Sequence, residues 1–120
     1  MSQAKKFLGV SPMTASSMQG DANAAVTAAG TTLATATDLT NVVNVITTGT
    51  ANQGVQLDTG IVGDWQVVWN NTGAAILVYP SASTARINQV ALGAGMTLAD
   101  KSSALFFIAS ATLHICVLTA

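Results

Sequence analysis

Charge is scarce in this chain. Only 8% of its 120 residues are charged, against about 25% in ordinary soluble domains. Glutamate is absent, and four Lys/Arg stand against five Asp, for a formal net charge of −1. Nothing concentrates cations along a phosphate backbone, so nucleic acid is not an expected partner. No basic run suits an anionic membrane surface. The single cysteine, Cys116, cannot close an internal disulfide and gives no sign of an oxidising compartment. Long apolar runs are missing too. Leu105 to Ala109 is far short of a membrane span. Phe7-Leu8-Gly9-Val10 after Lys5 and Lys6 is too short for a signal-peptide core, so synthesis in the cytoplasm without a leader is expected.

What remains is hydrophobic by half, yet only 5% aromatic. Ala, Thr, Ser, Asn and Gly replace the missing charge. A weakly charged, hydroxyl-rich surface tolerates contact with copies of itself or with a partner. The length fits one domain whose core needs no disulfide.

Two zones differ in composition. Residues 1–30 are small and polar, with no alternation and no helical stripe, and are expected to form an extended N-terminal arm that orders on docking. Residues 31–120 are expected to form the folded domain. There, β-branched runs alternate with turn residues. Thr31 to Thr37, Thr40 to Thr48, Gly54 to Leu57, Trp65 to Asn70 and Ala74 to Tyr79 suit strands. So do Arg86 to Asn88, Met96 to Ala99, Ala104 to Ser110 and Leu113 to Thr119. Asn70-Asn71-Thr72-Gly73 is a turn signal, and it predicts a hairpin between its flanking strands. Short strands at this spacing predict an all-β fold, a sandwich or barrel.

Four features invite a chemical reading. Asp58-Thr59-Gly60 is the triplet of aspartic proteases, whose chemistry would need one Asp from each subunit of a dimer. It is also ordinary turn chemistry, and the turn is the preferred reading. His114 and Cys116 lie two apart and share a strand face, but they are half a zinc site with no further His or Cys to complete it. No metal and no cofactor is expected. Trp65, Val67 and Trp69 also share a strand face; with Tyr79 the aromatics are expected in the core or a subunit interface, the alternative being a sugar-stacking platform. Lys5, Lys6, Phe7, Leu8 and Val10 are candidates for attachment through the arm. No phosphate-binding loop, dinucleotide fingerprint or nucleophile elbow is present.

Residues Ala34 to Ala109 carry a further pattern. An Ala-Thr-rich lead to Thr40 precedes Val42-Val43-Asn44-Val45, then Gly54-Val55-Gln56-Leu57. Val67-Val68-Trp69-Asn70-Asn71-Thr72-Gly73-Ala74 leads into Leu77-Val78-Tyr79-Pro80, and Ile87-Asn88 and Ala104-Leu105-Phe106 follow. This stretch resembles small virion proteins of tailed bacteriophages: capsid decoration (cement) proteins and related head-fibre or tail-tip domains. The resemblance implies a single jelly-roll-like antiparallel β-sandwich, a homotrimer, and an N-terminal arm gripping the shell. It implies a non-enzymatic protein on the capsid surface whose partner is the major capsid protein. A receptor- or glycan-binding fibre or tail tip is the first alternative, and a homodimeric aspartic protease using Asp58 the second.

Overall fold

The computed structural model describes residues 21–119 of the chain. The expected all-β class holds, with ten strands and no helix among those residues. The jelly-roll sandwich does not. The chain winds as a β-solenoid of about four turns with mixed sheets.

The strands are β1 (Ala22–Thr27), β2 (Thr37–Asp38), β3 (Val43–Thr48), β4 (Gly54–Gln56), β5 (Trp65–Asn70), β6 (Ile76–Tyr79), β7 (Arg86–Ile87), β8 (Met96–Leu98), β9 (Ser103–Ser110) and β10 (Leu113–Thr119). Up to β8 the chain alternates between two sheets. The six-stranded sheet has the order β1-β3-β5-β9-β10-β7, and the four-stranded sheet the order β2-β4-β6-β8. β1, β3 and β5 therefore stack in parallel, as do β2, β4 and β6. The last turn breaks the pattern. β7 goes to the far edge of the large sheet, β8 returns antiparallel to β6, and β9 inserts antiparallel beside β5 and folds back as β10.

Asn70-Asn71-Thr72-Gly73 does turn the chain, but not as a hairpin. Its flanking strands belong to different sheets, so the turn is a corner. Asn70 is fully buried there. Its Nδ2 donates to the carbonyls of Ala74 (2.7 Å) and Leu98 (2.9 Å), and its Oδ1 accepts from the backbone N–H (3.1 Å) and hydroxyl (2.8 Å) of Thr72. A side chain that bonds the backbone of its own turn, here the Ala74 carbonyl and the Thr72 N–H, offers the chain a sharp bend in place of a ladder. The hairpin that forms is β9–β10.

Two further expectations change. Of the run Thr31 to Thr37 only Thr37 is strand, at the start of β2: before it the N–H groups of Thr35 and Ala36 return to the Thr32 carbonyl in a tight turn. Residues 22–27, assigned to the arm, form β1, and Val26 and Ala28 join the core. Residues 1–20, with Lys5, Lys6, Phe7, Leu8 and Val10, lie outside the described residues.

The core lies between the sheets. Ile46, Val68, Ala104 and Phe106 on one side meet Val55, Ile76, Val78 and Leu98 on the other. Tyr79 is buried on the opposite face of the small sheet. Its ring lies across Gly54, where a Cβ would stand 2.5 Å from Cε2, and its hydroxyl donates to the Thr31 carbonyl at 2.8 Å. Only a residue without a side chain fits under that ring.

Candidate functional site

Strand alternation decides what β5 presents. Gln66, Val68 and Asn70 are buried, so Trp65, Val67 and Trp69 point away from the core. They share a face, as the sequence indicates, but it is the outer face of the large sheet. The expectation for Trp65 and Trp69 is the core or a subunit interface; the core does not hold, because the inward positions are taken by Gln66 and Asn70, which are polar. Their polarity is answered by backbone. Gln66 Nε2 donates to the carbonyls of Leu39 (3.1 Å) and Asn41 (2.9 Å), and its Oε1 accepts from Asp58 N–H (2.9 Å). A buried amide with its bonds made is an acceptable core residue.

Register extends the outer face across four strands. Val43, Val67, Leu105 and Val117 form one row. Trp65, Phe107 and Ile115 form the next. Trp69 is 40% exposed, Ile115 43% and Val117 50%. β3, β5, β9 and β10 contain no charged residue. Isolated exposed apolar residues are common, whereas a contiguous apolar face marks an interaction site. Sequence reasoning missed Leu105, Phe107, Ile115 and Val117 as members of this face. Their alternation against Phe106, Ile108 and His114 was the available signal.

A second feature lies where the ends of the two sheets meet. A cleft of about 230 Å³ is lined by Thr59, Gly60, Ser81, Ile108, Ser110, Ala111 and His114. An adjoining one of about 250 Å³ is lined by Asp38, Thr40, Gln56, Leu57, Asp58, Thr59 and Ser81. Asp58 follows β4, and its Oδ1 accepts from the N–H of Thr59 at 2.9 Å, a local loop contact. Burial, with a smaller push from Asp38, raises the Asp58 carboxyl above its ordinary value.

His114 is buried on the inner side of β10. The backbone N–H of Ser81 points at Nε2 from 3.3 Å, and the Ser81 hydroxyl lies 3.0 Å from the same nitrogen. A backbone N–H can only donate, so Nε2 carries the lone pair and the ring is neutral with its proton on Nδ1. Burial lowers the His114 pKa in the same sense. The contact ties the turn after Pro80 to β10. Cys116 lies on the same side, half-buried, its thiol pushed up to about 11 by burial. At neutral pH it is a protonated thiol and a poor nucleophile or metal ligand. Among the described residues no group of three or more His, Cys, Asp or Glu is gathered to hold a metal. No helix among them is long and apolar enough to cross a membrane.

A pH dependence follows. The folded state resists protonating His114, so the unfolded state takes up that proton first as pH falls below about 6.5. Stability is expected to decline from there down to the lowered native value. Asp58 acts in the opposite sense at lower pH, because its raised native pKa lets the folded state bind a proton first. Urea midpoints measured from neutral pH to about pH 5 should fall in the native protein and flatten in His114→Gln. An equal slope in both would remove His114 as the cause.

Comparison with protein-family models, characterised proteins and solved structures finds no match to the chain.

Proposed function

We propose that this chain is a structural protein of a tailed-bacteriophage virion, one that binds the outside of the capsid and stabilises it. The observation that carries the reading is the outer face of the large sheet. It is broad, apolar and uncharged across four strands, a surface made for packing against protein. The virion-protein pattern within Ala34 to Ala109 adds to it. The jelly-roll that this resemblance implies is replaced by a solenoid, so the functional reading rests on the surface and the sequence pattern, not on the fold.

In this reading the protein is a homotrimer on the shell, and the major capsid protein is its partner. Repetition over a shell supplies avidity without a strong single site. The reading assigns no catalytic step and no cofactor. Residues 1–20, with Lys5, Lys6, Phe7, Leu8 and Val10, act as the attachment segment. Co-sedimentation with shells of the cognate capsid protein tests this. The full chain should pellet with shells and raise their dissociation temperature. A chain lacking residues 1–20 should bind at least about tenfold more weakly, a loss of roughly 1.4 kcal/mol. Full-strength binding without the segment would remove its role, and no binding by the full chain would remove the capsid reading.

One observation favours a second reading, the glycan-binding fibre or tail tip. Trp69 is exposed and Trp65 half-buried on one flat face, where an aromatic ring can stack on a sugar. Saccharide-dependent quenching of tryptophan emission would support it over shell binding.

A further inference from the structure

We propose that the outer face of the six-stranded sheet is the surface through which copies of this chain associate. The proposal deepens the virion reading and rests on it for the assembly it serves. The physical case comes from the face itself.

Three of the chain's six Trp, Tyr and Phe residues, Trp65, Trp69 and Phe107, stand on this one face. Interface centres are enriched in aromatic residues and depleted of charge. Here the depletion is complete across β3, β5, β9 and β10. On the large sheet the nearest charge is Arg86, on the edge strand β7.

The occupant is a second copy for two reasons. The first is self-complementarity. A two-fold contact sets a surface against itself, so any charge on it must find its opposite by rotation; this contact joins copies in pairs, and a trimer ring would be built through other, head-to-tail surfaces. The four central strands have no charge to mismatch, Arg86 standing at the β7 edge of the same face, and their two rows of Val, Leu, Ile and aromatic side chains suit another such face. The second reason is area. Four strands about 4.8 Å apart and about 20 Å long give on the order of 400 Å² in plane, more with side-chain relief. Two copies then remove on the order of 1,000 Å², at the lower edge of specific interfaces. Left open, the face would rank with the largest apolar patches carried by monomers.

The test is native mass by size exclusion with light scattering, paired with acrylamide quenching of tryptophan. Both tryptophans of the chain lie on the face, so their emission reports its occupancy directly. The native protein should elute at a multiple of 12.1 kDa with both tryptophans shielded. Val117→Lys places a charge at a half-exposed position of the face and should weaken association about 100-fold or more, giving a 12.1 kDa species with an unchanged β spectrum and quenchable tryptophans. If Val117→Lys does not fold, Ile115→Ser and dilution of the native protein supply the same comparison, since dilution should expose the tryptophans as the mass falls. A native monomer overturns the proposal. With open tryptophans the face is uncovered; with shielded ones it is covered by the chain's own residues 1–20. An oligomer whose mass and quenching ignore Val117→Lys and Ile115→Ser overturns it too. Shell binding is read separately: an oligomer that uses this face but ignores shells removes the virion reading and leaves the interface.

Discussion

Asn70→Ala is expected to destabilise the protein by about 3 kcal/mol. The side chain is fully buried and makes four contacts, two as donor and two as acceptor. Truncation leaves the carbonyls of Ala74 and Leu98 and the N–H of Thr72 without these partners, and each buried group left unpaired costs about 1–3 kcal/mol. Water entering the space made by the lost amide recovers part of that, so the sum of single penalties overstates the loss. Asn70→Asp should be worse than a conservative change suggests. It replaces two donors with an acceptor facing the two carbonyls, and it does so in the core. Thr72→Ala is the control. It removes hydroxyl contacts to Asn70 Oδ1 and the Ala74 carbonyl at a half-buried site, and should cost about 1 kcal/mol. Urea unfolding at fixed protein concentration measures all three. An Asn70→Ala midpoint within error of the native one would mean the corner is held by the strands it joins, not by the side chain.

This corner also shows where the sequence was readable and where it was not. Strand positions from Val43 onward follow from β-branched runs between turn residues, because χ1 stiffness and turn chemistry are local. Pairing is not local. Asn-Asn-Thr-Gly serves a hairpin or a corner equally well, and only the stacking of later coils decides between them. One trace of that stacking was present. Val43 pairs with Val67 and Asn44 with Val68, and the same offset carries Thr48-Gly49 onto Thr72-Gly73. A coil length repeated in this way is the mark of a solenoid. Two imperfect copies in a chain rich in Thr, Val and Gly do not stand out from its composition. The candidate face was half legible. Trp65, Val67 and Trp69 share a side by alternation alone, but which side faced in depended on whether Gln66 and Asn70 would find partners. Of those partners, the carbonyls of Leu39, Asn41 and Leu98 come from other segments of the coil, and only that of Ala74 lies in the corner itself.

Phe106→Ala is expected to cost about 4 kcal/mol, within the usual 3–5 kcal/mol for a fully buried phenylalanine. Phe106 is 2% exposed and belongs to the core between the two sheets. On β9 it stands opposite Gln66 of β5 and Cys116 of β10, so the cavity it leaves is walled by hydrogen-bonded strands that cannot collapse into it. Phe107 is the same residue one position on and makes the contrast. It points outward, opposite Trp65 and Ile115, and is half-buried. In a dissociated protomer Phe107→Ala should cost about 1 kcal/mol, because its ring is covered only by neighbours on the same face. In the assembled protein its loss should rise with concentration, since folding is then linked to association. Urea midpoints of both variants at two protein concentrations separate these effects. Phe106→Ala should be shifted by a similar free energy at both. Phe107→Ala should approach the native midpoint on dilution and fall behind it when concentrated. The reverse pattern would exchange the inner and outer faces of the large sheet. It would place Gln66 and Asn70 in solvent, where neither Asn70→Ala nor a buried corner could have the effect argued above.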